Sequence, residues 1–173
     1  MNHPFMLTAV LAVSAVAAPV SAAGNLDTRG PFYELGPAGN ALAMVTTDNP
    51  ARVAASPVTI RVWFFHGTEQ ILQGSNPESP PLRFDTRMVS TRVDCGARTT
   101  TDLAYSVYAG GQHVRSQGVR EPRANAARPG TTLDAIIRSV CEPGFNASRP
   151  RHADFSAARV AAARHFAQTQ RGT

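Results

Sequence analysis

At 173 residues the chain can bury one substantial core and is too short for two full domains. Its 17 basic residues are all arginine, and against 12 acidic residues they leave a net charge of +5 and a pI near 10.2. That balance favours anionic partners. The arginines nevertheless run from Arg29 to Arg171 without a dense block, which argues for a solvated surface and against a specific nucleic-acid site. Their exclusive use reads first as the coding bias of a GC-rich bacterial genome.

The chain opens on an apolar run, Phe5 to Ala18, broken only by Thr8 and Ser14 and followed by Pro19-Val20-Ser21-Ala22-Ala23-Gly24. A short apolar segment ahead of small residues is the pattern of a secretory signal with cleavage after Ala22 or Ala23. A spanning helix needs roughly 20 apolar residues, more than this run supplies. The n-region Met1-Asn2-His3 lacks the usual basic residue. The expected organisation is a signal peptide at 1–22, a flexible lead at 23–31, a domain at 32–145, and a tail at 146–173 that is helical or partly disordered. The mature protein is expected in the periplasm or secreted, without an integral membrane span.

Phe32 to Leu35 and Ala41 to Thr46 are short strand candidates, ended by Gly36-Pro37 and Asp48-Asn49-Pro50. Val58 to His66 (VTIRVWFFH) is the strongest strand, rich in β-branched and aromatic residues. Its alternation places Ile60, Val62 and Phe64 on one face and Thr59, Arg61, Trp63 and Phe65 on the other. The second face is not cleanly polar, so some further element should cover part of it. Gly67 to Pro81 reads as a loop flanking a brief strand at Gln70 to Leu72. Arg83 to Cys95 alternates, with Val89, Thr91, Val93 and Cys95 on its more apolar side. Thr99 to Tyr108 and Gln112 to Val119 flank Gly110-Gly111, the signature of a hairpin whose turn needs positive φ.

At Thr131 to Cys141 the period changes. Leu133, Ile136, Ile137, Val140 and Cys141 fall on one helical stripe, Thr131 and Asp134 can cap the first turn, and Pro143-Gly144 ends the run. Two cysteines in an exported chain most simply form one disulfide. Cys95 on a strand's apolar side and Cys141 on the helix's apolar stripe would pin helix to sheet. Asp154 to Gln168 favours helix through its alanines, yet offers only Phe155, Val160 and Phe166 as large apolar groups, so it is expected to dock weakly. The fold class is thus α+β, an antiparallel sheet of about five or six strands with one docked helix near the second cysteine.

No phosphate-cradling glycine motif, His-Glu-x-x-His, nucleophile elbow or Cys-x-x-Cys is present. His66, His113, His152 and His165 read as ordinary polar residues, and no metal, cofactor or catalytic residue is assigned. Tyr105, Tyr108 and Arg115 are the candidate binding residues, an aromatic and cationic surface on the hairpin.

The order of a Trp-containing strand (Val62-Trp63-Phe64), an Asp94-Cys95 strand end, a Tyr-bearing hairpin (Tyr105 to Val114), Arg128-Pro129-Gly130-Thr131 and a helix ending in Cys141 resembles the surface-adhesin protein E family of bacterial exported proteins. The likeness spans about Phe32 to Cys141. It implies an antiparallel sheet with a docked helix, a helix-to-sheet disulfide, homodimers and an adhesive role without catalysis, and together with the positive charge it points to a protein or an anionic envelope or extracellular ligand. Lipid-anchored members carry a cysteine at the cleavage site, where this chain has Ala22-Ala23-Gly24. Two functions are therefore weighed, a non-catalytic adhesin-like binding protein and a small periplasmic enzyme or enzyme inhibitor with a cleft. A pocket lined by His66 or His113 with a carboxylate favours the second, and a flat sheet face favours the first.

Overall fold

The structure is a computed structural model in which residues 29–46, 57–73, 78 and 80–171 are described. The signal segment and residues 23–28 lie outside the described residues. Among the described residues eight strands form one antiparallel sheet: β1 (Arg29–Ala38), β2 (Ala41–Thr46), β3 (Val58–Leu72), β4 (Leu82–Asp94), β5 (Thr99–Ala109), β6 (Gln112–Gly118), β7 (Ala124–Ala126) and β8 (Arg151–Asp154). The first six run as a meander, β8 returns to pair on the outer side of β1, and β7 pairs with β5 beyond the end of β6. This exceeds the expected five or six strands because β7 and β8 are three and four residues long and almost wholly exposed. Neither shows the alternation that marks a half-buried strand. Residues 29–31, expected within a flexible lead, belong to β1, which starts at Arg29.

Strand β3 explains the layering. Ile60 and Val62 are buried on one face, and Trp63 and Phe65 on the other. A strand apolar on both faces must be covered on both. Helix α1 (Thr132–Cys141) covers the first face, packing Ile136, Ile137 and Val140 against Leu35, Ala43, Val45, Ile60, Val62 and Val93. Thr131 accepts the Asp134 backbone N–H at 3.3 Å, and the Asp134 carboxylate accepts Arg98 Nη2 at 2.5 Å and the Gly130 N–H at 3.2 Å. The Cys95–Cys141 disulfide, with Cα atoms 5.6 Å apart, joins the end of β4 to the end of α1.

Helix α2 (Phe155–Arg171) covers the second face, so the expected weakly docked tail is an ordered helix seated on the core. Its apolar payload is small, but Ala158 and Ala162 are fully buried against Phe32, Leu42, Met44, Trp63, Phe65, Met88 and Tyr108. Small side chains let the helix axis approach the sheet closely. Phe155 then inserts among the rings of Phe32, Trp63, Phe65 and Tyr108, with centroids 5.1–6.2 Å apart. Such aromatic pairs add about 0.5–1.5 kcal/mol each beyond area burial. At the other end Phe166 lies against the backbone of Gly67, where a Cβ would meet its ring at 2.7 Å.

The hairpin at Gly110-Gly111 forms as expected, both glycines having positive φ (57° and 89°). Strand β3 carries through Gln70–Leu72, which pair with Leu82–Phe84 after an irregularity between Phe65 and Gln70.

Candidate functional site

Directly opposed residues in an antiparallel sheet share a face. On the α1 side the register aligns Val45, Val62, Val89, Tyr105 and Gln117 in one row across β2 to β6, and Ala43, Phe64, Arg87, Val107 and Arg115 in the next. The α1 core takes the first residues of each row, and Phe64 packs at its margin. Beyond that margin the sheet continues as a face bearing Arg87, Tyr105, Arg115 and Gln117. Arg87 and Gln117 are exposed, whereas Tyr105 and Arg115 are half-buried. The Arg87 guanidinium carbon lies 5.0 Å from the Phe64 ring centroid, and the Tyr105 hydroxyl donates to Gln117 Oε1 at 2.9 Å. Val89 and Val107 are buried beneath this layer although neither belongs to a helix-covered cluster. Long amphipathic side chains shield apolar atoms in this way while keeping their polar ends in water.

Of the three residues nominated from the sequence, Tyr105 and Arg115 therefore meet on this face. Tyr108 does not. It sits in the row Leu42, Phe65, Thr86, Tyr108 and His113 on the opposite, α2 side, and is 2% exposed. Tyr105 and Tyr108 are three residues apart in a strand, an odd spacing that sends them to opposite faces. Burial pushes the Tyr108 phenol up to about 12, a nearby Arg61 charge opposing the shift. The sequence reading missed Phe64, Arg87 and Gln117; the signal that finds them is cross-strand register, which no single strand displays.

The two histidines named as cleft markers, His113 and His66, sit in separate clusters. His113 Nε2 lies 2.8 Å from Ser116 Oγ, itself 2.7 Å from Ser106 Oγ, and the His113 ring packs edge-on against Tyr108 at 5.5 Å. No carboxylate among the described residues bonds the other His113 nitrogen, so the hydroxyl–imidazole pair lacks the orienting group of a catalytic triad. The second is a groove of about 510 Å³ between α2 and the β3–β4 ladder, lined by His66, Asp85, Ser156, Arg159, Phe166 and Gln170 among others. Here His66 Nδ1 stands 3.3 Å from Asn40 Oδ1, an acceptor, which leaves the lone pair on Nε2, a buried atom without a protein partner. Burial and the Arg87 charge push its pKa below the ordinary histidine value, with Asp85 opposing. Asp85 is already engaged: it accepts the Thr86 hydroxyl at 2.8 Å, the Gly110 N–H at 2.9 Å and Arg159 Nη2 at 3.1 Å. It ties the hairpin turn and α2 to β4, which is a structural task.

Among the described residues no group of three or more His, Cys, Asp or Glu is placed to hold a metal ion, and no helix is long and apolar enough to cross a membrane. No protein-family model and no curated protein matches the chain. Among solved structures, crystal form II of Haemophilus influenzae protein E is similar in fold, with a TM-score of 0.43 and 16% identity over 66% of this chain and 90% of that one.

Proposed function

We propose that the protein is an exported, non-catalytic binding protein that engages an acidic protein or anionic envelope component through the sheet face beside α1. The observation behind this reading is the pair of cross-strand rows that put Phe64, Arg87, Tyr105, Arg115 and Gln117 side by side beyond the helix. Aromatic rings give contact area at low entropic cost, and guanidinium forks bond carboxylate, sulfate or phosphate oxygens. The disulfide accords with an oxidising compartment. The reading rests on the sheet face because Asp85 in the His66 groove is already engaged by three donors that tie the hairpin turn and α2 to β4.

Heparin serves as a test probe. Arg87→Gln combined with Tyr105→Ala should lower the salt concentration that elutes the protein from immobilised heparin, and affinity should fall steeply with added salt as counterions are released. Arg164→Gln, on α2 away from this face, should elute close to the parent. Equal shifts in both variants would refute a localised site.

A further inference from the structure

The turn that follows α1 builds a second feature on which the sheet face has no bearing. After Cys141 the chain passes through Pro143-Gly144 into a short 3₁₀ turn, Phe145–Ser148, and on to β8. The Phe145 ring is flanked by two cations, with the Arg138 guanidinium carbon 4.6 Å and the Arg149 guanidinium carbon 4.5 Å from its centroid. The two positive charges are therefore no more than about 9 Å apart, close enough to repel one another. Both line a hollow of about 570 Å³ together with Glu142, Gly144, Phe145 and Ser148, and both also line an adjoining hollow of about 490 Å³.

Their neutralisation is unequal. Arg138 is paired with Glu142, Nε to Oε2 at 2.8 Å, one helical turn away. Arg149 is half-buried, and no carboxylate among the described residues pairs with it. Its hydrogen bond is to the Leu35 carbonyl at 3.5 Å, the limit of useful reach. A guanidinium over a ring keeps its N–H edge in its own plane, so most of the five donors of Arg149 remain available beside those of Arg138. In the larger hollow one carboxylate faces two guanidiniums, and Asp134 in the adjoining one is already paired with Arg98, which leaves a positive hollow with a hydroxyl, Ser148, on its wall.

We propose that this hollow binds a tetrahedral oxyanion, a phosphate or sulfate group, carried on a larger polar ligand whose remainder occupies the space around it. The anion would bridge Arg138 and Arg149 and relieve their repulsion, and the Glu142 carboxylate would compete with it for Arg138.

Inorganic phosphate and inorganic sulfate are titrated separately into the oxidised mature protein at low ionic strength, with backbone amide shifts of Phe145 to Arg149 as the readout. Saturable shifts confined to this turn are expected from at least one of the two anions, and a response to one alone would identify which group the ligand carries. Arg149→Gln should weaken binding by about tenfold or more, Arg149→Lys should restore part of it, and Glu142→Gln should tighten it several-fold by freeing Arg138. The gain in Glu142→Gln separates an anion site from a purely structural stack, which would gain nothing from losing the carboxylate. Arg87→Gln should leave the titration unchanged, so this site and the sheet face succeed or fail independently. Absence of saturable shifts from either anion in the parent protein, or unchanged affinity in a folded Arg149→Gln or in Glu142→Gln, would overturn the proposal.

Discussion

Replacing Cys95 and Cys141 together by serine removes a crosslink that closes a 46-position loop. The chain-entropy treatment puts the loss near 4 kcal/mol for a loop of that length. For a domain of this size such a loss lowers the melting temperature by roughly 10–15 °C. The native state should survive it, because α1 has other attachments. Ile137 and Ile136 are 0% and 3% exposed, and burying each contributes about 1.5–3 kcal/mol. The Asp134 carboxylate is also anchored from the sheet side by Arg98 and from the loop by Gly130. Urea denaturation followed by circular dichroism, parent against double variant, measures the effect. The midpoint should fall, and the slope should rise slightly because the uncrosslinked denatured chain exposes more surface. A difference under about 1 kcal/mol would mean that the crosslink does not restrict the denatured chain as argued. Complete unfolding of the variant in water would mean that the packing of α1 cannot hold it, refuting the stated division of labour.

Two further outcomes follow from the α2 side. Gly67→Ala places a methyl 2.7 Å from the Phe166 ring and should cost about 1–3 kcal/mol by overpacking, while the same change in a Phe166→Ala background should cost much less; equal costs in thermal melts would show that Phe166 does not dock there. Tyr108 titrates near 12 when folded and near 10 when unfolded, so the unfolded chain loses its proton first and stability falls as pH rises from about 10 toward 12, by up to roughly 3 kcal/mol. Tyr108→Phe should flatten that alkaline limb, and should be neutral or slightly stabilising at pH 7 because the buried hydroxyl has no protein partner; an unchanged pH profile in denaturant melts would refute the burial argument.

Local pattern sufficed wherever one residue's environment follows from its near neighbours. The period of Val58 to His66 indicated a strand with two apolar faces, the Gly110-Gly111 pair marked the hairpin of β5 and β6, and the stripe from Leu133 to Cys141 marked the helix that the disulfide holds. Even the need for a second covering layer was visible in Trp63 and Phe65. The identity of that layer was not, because the buried face of α2 is alanine at the contact, and a small side chain shows its value only once a sheet lies within reach of the helix axis. β7 and β8 were hidden for a related reason: they are exposed and short, without apolar alternation, and they are strands only because β5 and β1 offer unpaired backbone edges.

The candidate site divides along the same line. Alternation within β5 is a property of the sequence, and it sends Tyr105 and Tyr108 to opposite faces. That Tyr105 stands in a row with Gln117, one row from Phe64, Arg87 and Arg115, depends on how four strands align with one another. Register is decided by which apolar sets can be buried together and by where the bulges fall, since a one-residue slip would exchange the faces of a whole strand. Strand, hairpin, helix and the pairing of the two cysteines were therefore written in the order of residues along the chain, whereas the neighbours of Arg87 and of Arg149 were settled only when distant segments packed, because contact across strands and turns has no trace in sequence spacing.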